Sequence, residues 1–151
     1  MQNKINRSRK PMVTFVLIAV VVFGCLQPVF SSPHSKRVRQ VSTAQPFDLK
    51  QGQTVSVKGT KLEIKVLEIQ DSRCPRNVTC VWAGNGAVKL SVSLHGRNRQ
   101  VLTLNTMNAQ KFLSEQNYGG YKLALQTLNP YPGDGQSGDK VATLIVTKLR
   151  R

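Results

Sequence analysis

Val88-Lys89-Leu90-Ser91-Val92-Ser93-Leu94-His95 alternates apolar and polar side chains without a break. Successive side chains of a strand point to opposite faces. Val88, Leu90, Val92 and Leu94 therefore form one apolar face, and Lys89, Ser91, Ser93 and His95 a polar one. A helix would spread the same residues around its circumference. The segment predicts a strand with one face in a core and the other in water. Gly96-Arg97-Asn98 follows as a turn, and residues 101–104 (VLTL) as the returning strand.

The period of two recurs on both sides of this segment. Val55 and Val57 alternate with Thr54, Ser56 and Lys58. Leu62, Ile64 and Val66 alternate with Lys61, Glu63 and Lys65, after which the apolar parity flips to Leu67 and Ile69. A flip of this kind predicts a β-bulge or a strand passing between sheets. Tyr121, Leu123 and Leu125 lead another strand, and residues 141–146 (VATLIV) are apolar on both faces, as a strand inside a core would be. Residues 108–116 alone have a helical composition, with Phe112 and Leu113 as the apolar side and Gly119-Gly120 as the stop. Six or seven short strands joined by Gly, Pro and Asn turns predict an all-β fold. The arrangement expected is a single antiparallel β-sandwich of about seven strands, with a small open β-barrel as the alternative. Residues 46–151 hold it, enough chain for one domain and too little for two.

Ahead of the domain, residues 1–31 have the layout of a signal peptide. Lys4, Arg7, Arg9 and Lys10 form a positive start, and residues 12–23 (MVTFVLIAVVVF) an apolar run that Gln27 and Pro28 close. That run is shorter than the roughly 20 apolar residues a spanning helix needs. Two cleavage points compete. Val22-Phe23-Gly24-Cys25 resembles a bacterial lipobox, with Cys25 as the acylated first residue, and Val29-Phe30-Ser31 offers a cut before Ser32. Residues 32–45 then read as a basic, flexible linker with Lys36, Arg37 and Arg39. The chain is expected to be exported, to the periplasm, the extracellular space or a lipid anchor on the envelope.

The chain has 22 basic and 7 acidic residues; four of the basic ones lie in residues 1–31, which leaves 18 against 7. Most of the rest are scattered singly along the strands, as on a solvated face. No helix-turn-helix, zinc-finger or ribonucleoprotein pattern accompanies them, so nucleic acid is not an expected partner. Anionic lipid head groups or acidic polysaccharide fit the charge better.

Asp71-Ser72-Arg73-Cys74-Pro75-Arg76-Asn77-Val78-Thr79-Cys80-Val81-Trp82-Ala83-Gly84 places two of the three cysteines close together, beside the only tryptophan. With Cys25 set aside at the leader, Cys74 and Cys80 are an even pair in an oxidising compartment and are expected to be bonded. Pro75 holds Cys74 extended, and Trp82 is expected to pack over the bridge or into the core. Arg73, Arg76 and Asn77 form a candidate recognition loop on this rigid ring. A redox role has the wrong spacing, since the C-x-x-C pair and a helix N-terminus are both missing. Asn77-Val78-Thr79 is also a glycosylation sequon, relevant only in a eukaryotic host.

This run resembles the signature of a group of small exported bacterial proteins. In that group an aromatic–proline segment, similar to Asn129-Pro130-Tyr131-Pro132 here, follows a strand similar to residues 121–128. The likeness spans most of residues 47–147. It implies export, the disulfide and a single domain, and transfers no catalytic residue.

Catalytic motifs do not emerge. His34 and His95 belong to no metal spacing. Gly135-Gln136-Ser137-Gly138 has its second glycine misplaced for a nucleophile elbow. Asp134 and Asp139 lack the downstream bidentate glutamate of a calcium loop. No cofactor and no metal is expected. The leading expectation is a non-enzymatic exported binding module with a basic surface. Its competitors are an inhibitor of a secreted hydrolase, using the disulfide loop, and a small-substrate hydrolase.

Overall fold

Nine strands in two sheets form the domain in the computed structural model, which describes residues 38–150. The signal segment, both cleavage points, Cys25 and the first part of the expected linker lie outside the described residues. The strands are β1 (Arg39–Val41), β2 (Phe47–Lys50), β3 (Thr54–Val57), β4 (Leu62–Asp71), β5 (Gly86–Leu94), β6 (Arg97–Asn105), β7 (Glu115–Tyr118), β8 (Tyr121–Asn129) and β9 (Val141–Lys148). One sheet has the order β1-β3-β4-β5-β6 and the other β2-β9-β8-β7. The two do not close into a barrel, and the β-sandwich reading holds. The strand count is nine rather than about seven, because the expectation omits β1, β2 and β7; β1 and β7 bury one residue each and show no alternation, and only β2 alternates, over four residues. All pairings are antiparallel except β1 with β3, which run parallel.

The core follows the alternation. Val88, Leu90 and Val92 of β5, Leu62, Ile64 and Val66 of β4, Leu102 and Leu104 of β6, and Val55 and Val57 of β3 are buried from one sheet. Phe47, Leu49, Leu123, Leu125, Leu128, Ala142, Leu144 and Val146 meet them from the other. The parity flip after Val66 is a bulge: the register with β5 shifts between Val66 and Glu68, and Leu67 is the extra, partly exposed residue. A second bulge at Gln126 does the same in β8, so that Leu125 and Leu128 are both buried three residues apart. Strand β9 lies between β2 and β8, as its apolar sequence anticipated.

Four local expectations need correction. Residues 108–116 form no helix; they make a loop with a bridge from Ala109 to Phe112 and then enter β7. A segment this short, with only two adjacent apolar residues, cannot sustain an isolated helix. Its backbone instead bonds to β6, where Asn105 N donates to the Leu113 carbonyl at 2.9 Å. The turn after β5 is His95-Gly96, with φ of 54° and 67°, one residue earlier than expected. Two left-handed residues make the tight hairpin whose twist matches its strands. Ser91 and Ser93, expected in water, are buried, because β5 is flanked on both sides and their registered neighbours are the longer Glu63, Lys65 and Val101. Finally, the linker stretch 32–45 contains β1, where Val41 is buried and pairs with Val57. Lone apolar Val41 in a polar stretch gave no period to read.

Candidate functional site

The β4–β5 connection, residues 72–85, leaves the sandwich as a continuation of the ladder. Ser72 N donates to the Asn85 carbonyl at 2.9 Å and Cys74 N to the Ala83 carbonyl at 2.8 Å. Gly84 makes this close approach possible. It has φ of 68°, and a Cβ there would lie 1.9 Å from the Ser72 carbonyl oxygen. Beyond the last rung the Cys74–Cys80 disulfide closes the ring, with 5.9 Å between the Cα atoms. The bond expected from the sequence is therefore present.

The side chains around it are not arranged as the sequence suggested. Arg73 was expected to project; its side chain is only 9% exposed. Its Nε donates to Asp71 Oδ1 at 2.7 Å, and its Nη2 donates to Asp71 Oδ2 and to the Leu128 carbonyl, both at 2.8 Å. This fork geometry suits arginine and no other side chain. Lys140 Nζ donates to Asp71 Oδ2 at 2.8 Å and to the Pro130 carbonyl at 2.6 Å. Burial opposes the charge on Asp71, but the hydrogen bonds from Arg73 and Lys140 outweigh it and hold its pKa down to about 2. Asp71 is thus a structural anion with two cations on it.

Arg76 does reach the surface, and its charge is also matched: Nε lies 2.9 Å from Asp134 Oδ1. The guanidinium groups of Arg73 and Arg76 lie over the Tyr131 ring, 4.3 and 4.8 Å from its centre. Arg76 N donates to the Pro132 carbonyl at 3.0 Å, and a Cβ on Gly133 would meet Asn77 Oδ1, Arg76 N and Pro75. The cysteine segment 71–84 and the aromatic–proline segment 129–132 are thus packed on each other. Pro75 lies beside Gly133 in this contact. Asn77 is exposed.

Trp82 is the clearest departure. Expected over the bridge or in the core, it is 77% exposed; Val81 beside it is fully exposed and Val78 53%. The physical reason is the ladder itself. Cys74 and Ala83 make its last rung, so Trp82 falls just outside, between that rung and the ring rather than above the core. The exposed apolar side chains here are Val78, Val81 and Trp82, while Arg73 faces inward and Arg76 turns to Asp134.

At the opposite end of the sandwich a different surface appears. The β3–β4 turn carries Lys58 and Lys61, the β5–β6 hairpin Arg97 and Arg99, and the C-terminal end of β9 Lys148 and Arg150. These elements are neighbours: His95 N donates to the Lys61 carbonyl at 2.9 Å, the Tyr118 hydroxyl donates to the Asn98 carbonyl, and Leu149 N donates to the Gly120 carbonyl at 2.9 Å. All six cations are exposed. None forms an ion pair among the described residues; the pairs present engage Lys50, Arg73, Arg76, Lys89, Lys122 and Lys140. Five of the seven carboxylates are used in those pairs, none of them with one of these six cations. Glu63, one residue into β4 and two from Lys61, forms no ion pair with them either. The sequence showed these residues as scattered; the hairpin topology gathers them.

Clefts are open and shallow. One of about 420 Å³ lies beside the disulfide ring, lined by Arg73, Gly84, Met107, Thr127, Asn129 and Tyr131. It holds no histidine, no thiol and no carboxylate. Among the described residues no three His, Cys, Asp or Glu side chains converge to hold a metal ion, and the 133–139 segment is a turn whose Asp134 and Asp139 face Arg76 and Lys50. No protein family, curated protein or solved structure matches this chain.

Proposed function

We propose that this protein is an exported binding module whose basic end docks an anionic polymer of the cell surface, an acidic polysaccharide in the first place. One observation carries the reading. Lys58, Lys61, Arg97, Arg99, Lys148 and Arg150 are gathered at one end of the sandwich with no carboxylate paired to them. Cations on separate turns, spread over an open surface, suit a repeating polyanion better than one compact substrate. Export is supported by the positive and apolar segments of residues 1–31 and by the disulfide, which persists in oxidising compartments.

The test is binding to a soluble polyuronate across a salt series. Attraction to exposed cations is screened over about 8 Å at physiological ionic strength, so affinity falls steadily as salt rises. The triple variant Lys58→Glu, Lys61→Glu, Arg97→Glu loses most of the low-salt affinity while its unfolding curve stays in place. Binding that ignores both salt and charge reversal would overturn the proposal.

A further inference from the structure

We propose that the opposite, disulfide-bearing end inserts into the surface of a lipid bilayer, with Trp82, Val81 and Val78 as the penetrating side chains. This goes beyond the docking of polyanions and uses none of the same residues.

The starting observation is a cluster. Val78 stands exposed on the closed ring and Val81 and Trp82 just after it, and Met107, Phe112 and Leu113 stand exposed on the β6–β7 connection, residues 106–114. The two connections leave the same end side by side: Thr106 N donates to the Gly86 carbonyl at 2.8 Å, and Met107 N to Asn85 Oδ1 at 3.3 Å. Single apolar residues on a surface are ordinary, but a group of six on loops at one end marks an interaction surface.

Three features select a bilayer as the occupant. The apolar residues are carried by two separate connections at one end, so an extended apolar phase can receive both. Residues 72–85 and 106–114 contain Arg73, Arg76 and Lys111 and no acidic residue. The carboxylates that border them, Asp71, Glu115, Asp134 and Asp139, are all paired with cations, so no unpaired carboxylate among the described residues borders these connections. The largest of the six side chains is an indole, whose apolar body and N–H donor place it at the level of lipid head groups. Trp82 lies between the disulfide and the Cys74–Ala83 rung, and the two hold its backbone in place in the free protein.

Trp82 is the only tryptophan in the chain, and it stands at the end away from the basic cluster. Its emission therefore reports which end meets the lipid. With phosphatidylcholine vesicles, and equally with vesicles containing phosphatidylglycerol, the emission is expected to shift to the blue and to be quenched by lipids brominated on their acyl chains. Because apolar contact carries the insertion, the shift survives high salt, whereas polyuronate binding does not. Val81→Asp keeps the reporter and abolishes the shift. Trp82→Ala weakens co-sedimentation with phosphatidylcholine vesicles by at least about ten-fold, a modest part of what burying an indole contributes. Both positions are exposed, so both variants keep the wild-type unfolding curve. Co-sedimentation with phosphatidylglycerol vesicles alone, with Trp82 emission unchanged, would mean that only the basic end docks and would overturn the insertion. A shift produced by another protein or by self-association, with none on lipid, would equally overturn it and assign the tip to a protein pocket.

Discussion

The two ends of this sandwich handle charge in opposite ways. At the disulfide end each cation that touches the framework has its anion: Arg73 and Lys140 share Asp71, and Arg76 meets Asp134. The large apolar side chains Val78, Val81, Trp82, Met107, Phe112 and Leu113 are left exposed there. At the other end six cations form no ion pair among the described residues, and the β3–β4 and β5–β6 turns that carry four of them have open space around Gly59 and Gly96. The difference teaches where stability and binding separate. Buried, paired charge holds two connections together and is expensive to disturb. Exposed, unpaired charge contributes little to folding and remains available to a partner.

The largest expected effect breaks the disulfide end at its closest approach. Gly84→Ala sets a methyl group 1.9 Å from the Ser72 carbonyl oxygen, and the ladder below the ring must open. We expect a loss of roughly 4 kcal/mol or more in urea unfolding, in the range reserved for a named steric failure. Gly96→Ala is the matched control at the other end. It has the same sign of φ, 67°, and nothing within 4 Å, so only backbone strain of about 1 kcal/mol is expected. Equal losses for the two variants would erase the contrast.

Next comes the buried anion. Asp71→Asn leaves Arg73 and Lys140 facing a neutral group, and breaking a buried pair from one side costs about 3 kcal/mol. The same site sets an acid limit. The carboxyl of Asp71 is held at about 2 in the folded chain, below its ordinary 3.8, so the unfolded chain takes up the proton first as pH falls. Its stabilisation, about 2 kcal/mol by linkage, is present above pH ~4 and is lost between pH ~4 and ~2. Unfolding followed over that window should show the loss in the wild type and a flatter profile in Asp71→Asn. Identical profiles would remove Asp71 as the group responsible.

Cys80→Ser comes third. Opening a seven-residue ring releases about 2 kcal/mol of loop-closure entropy to the unfolded chain, and the two-sheet fold should persist. Mass spectrometry before and after reduction checks the bond itself, by a gain of about 2 Da from two hydrogens. The smallest effect on folding is expected at the basic end. Lys61→Glu should change stability by less than about 0.5 kcal/mol, while polyuronate affinity drops; a stability loss as large as that of Asp71→Asn would contradict the division between the ends.

Particular residues show what was legible in the sequence. The run from Val88 to His95, the strand from Leu62 to Val66 and the flip to Leu67 gave the two-sheet fold and even the bulge, because a period of two is a local property of the chain. Cys74 and Cys80 were readable from spacing and compartment. Strands β1 and β7 were not, since each buries a single residue and has no alternation to read; β2 does alternate, Phe47 and Leu49 against Asp48 and Lys50, and the expectation omitted it. Arg73 looked like a protruding side chain because it lies next to a cysteine in a polar run. Its true partners, Asp71, the Leu128 carbonyl and Tyr131, include two that are more than fifty residues away in sequence.

Sequence alone therefore determined the elements whose cause is local: the alternating strands and a bonded pair of cysteines. Tertiary structure decided everything that depends on which ends meet. It turned Arg73 inward, set Trp82 one residue beyond the last ladder rung, and drew Lys58, Lys61, Arg97, Arg99, Lys148 and Arg150 to a single end. The physical reason is that antiparallel hairpins fold distant turns onto common ends of a sandwich. Charge that is evenly spaced along the chain then becomes polarised in space.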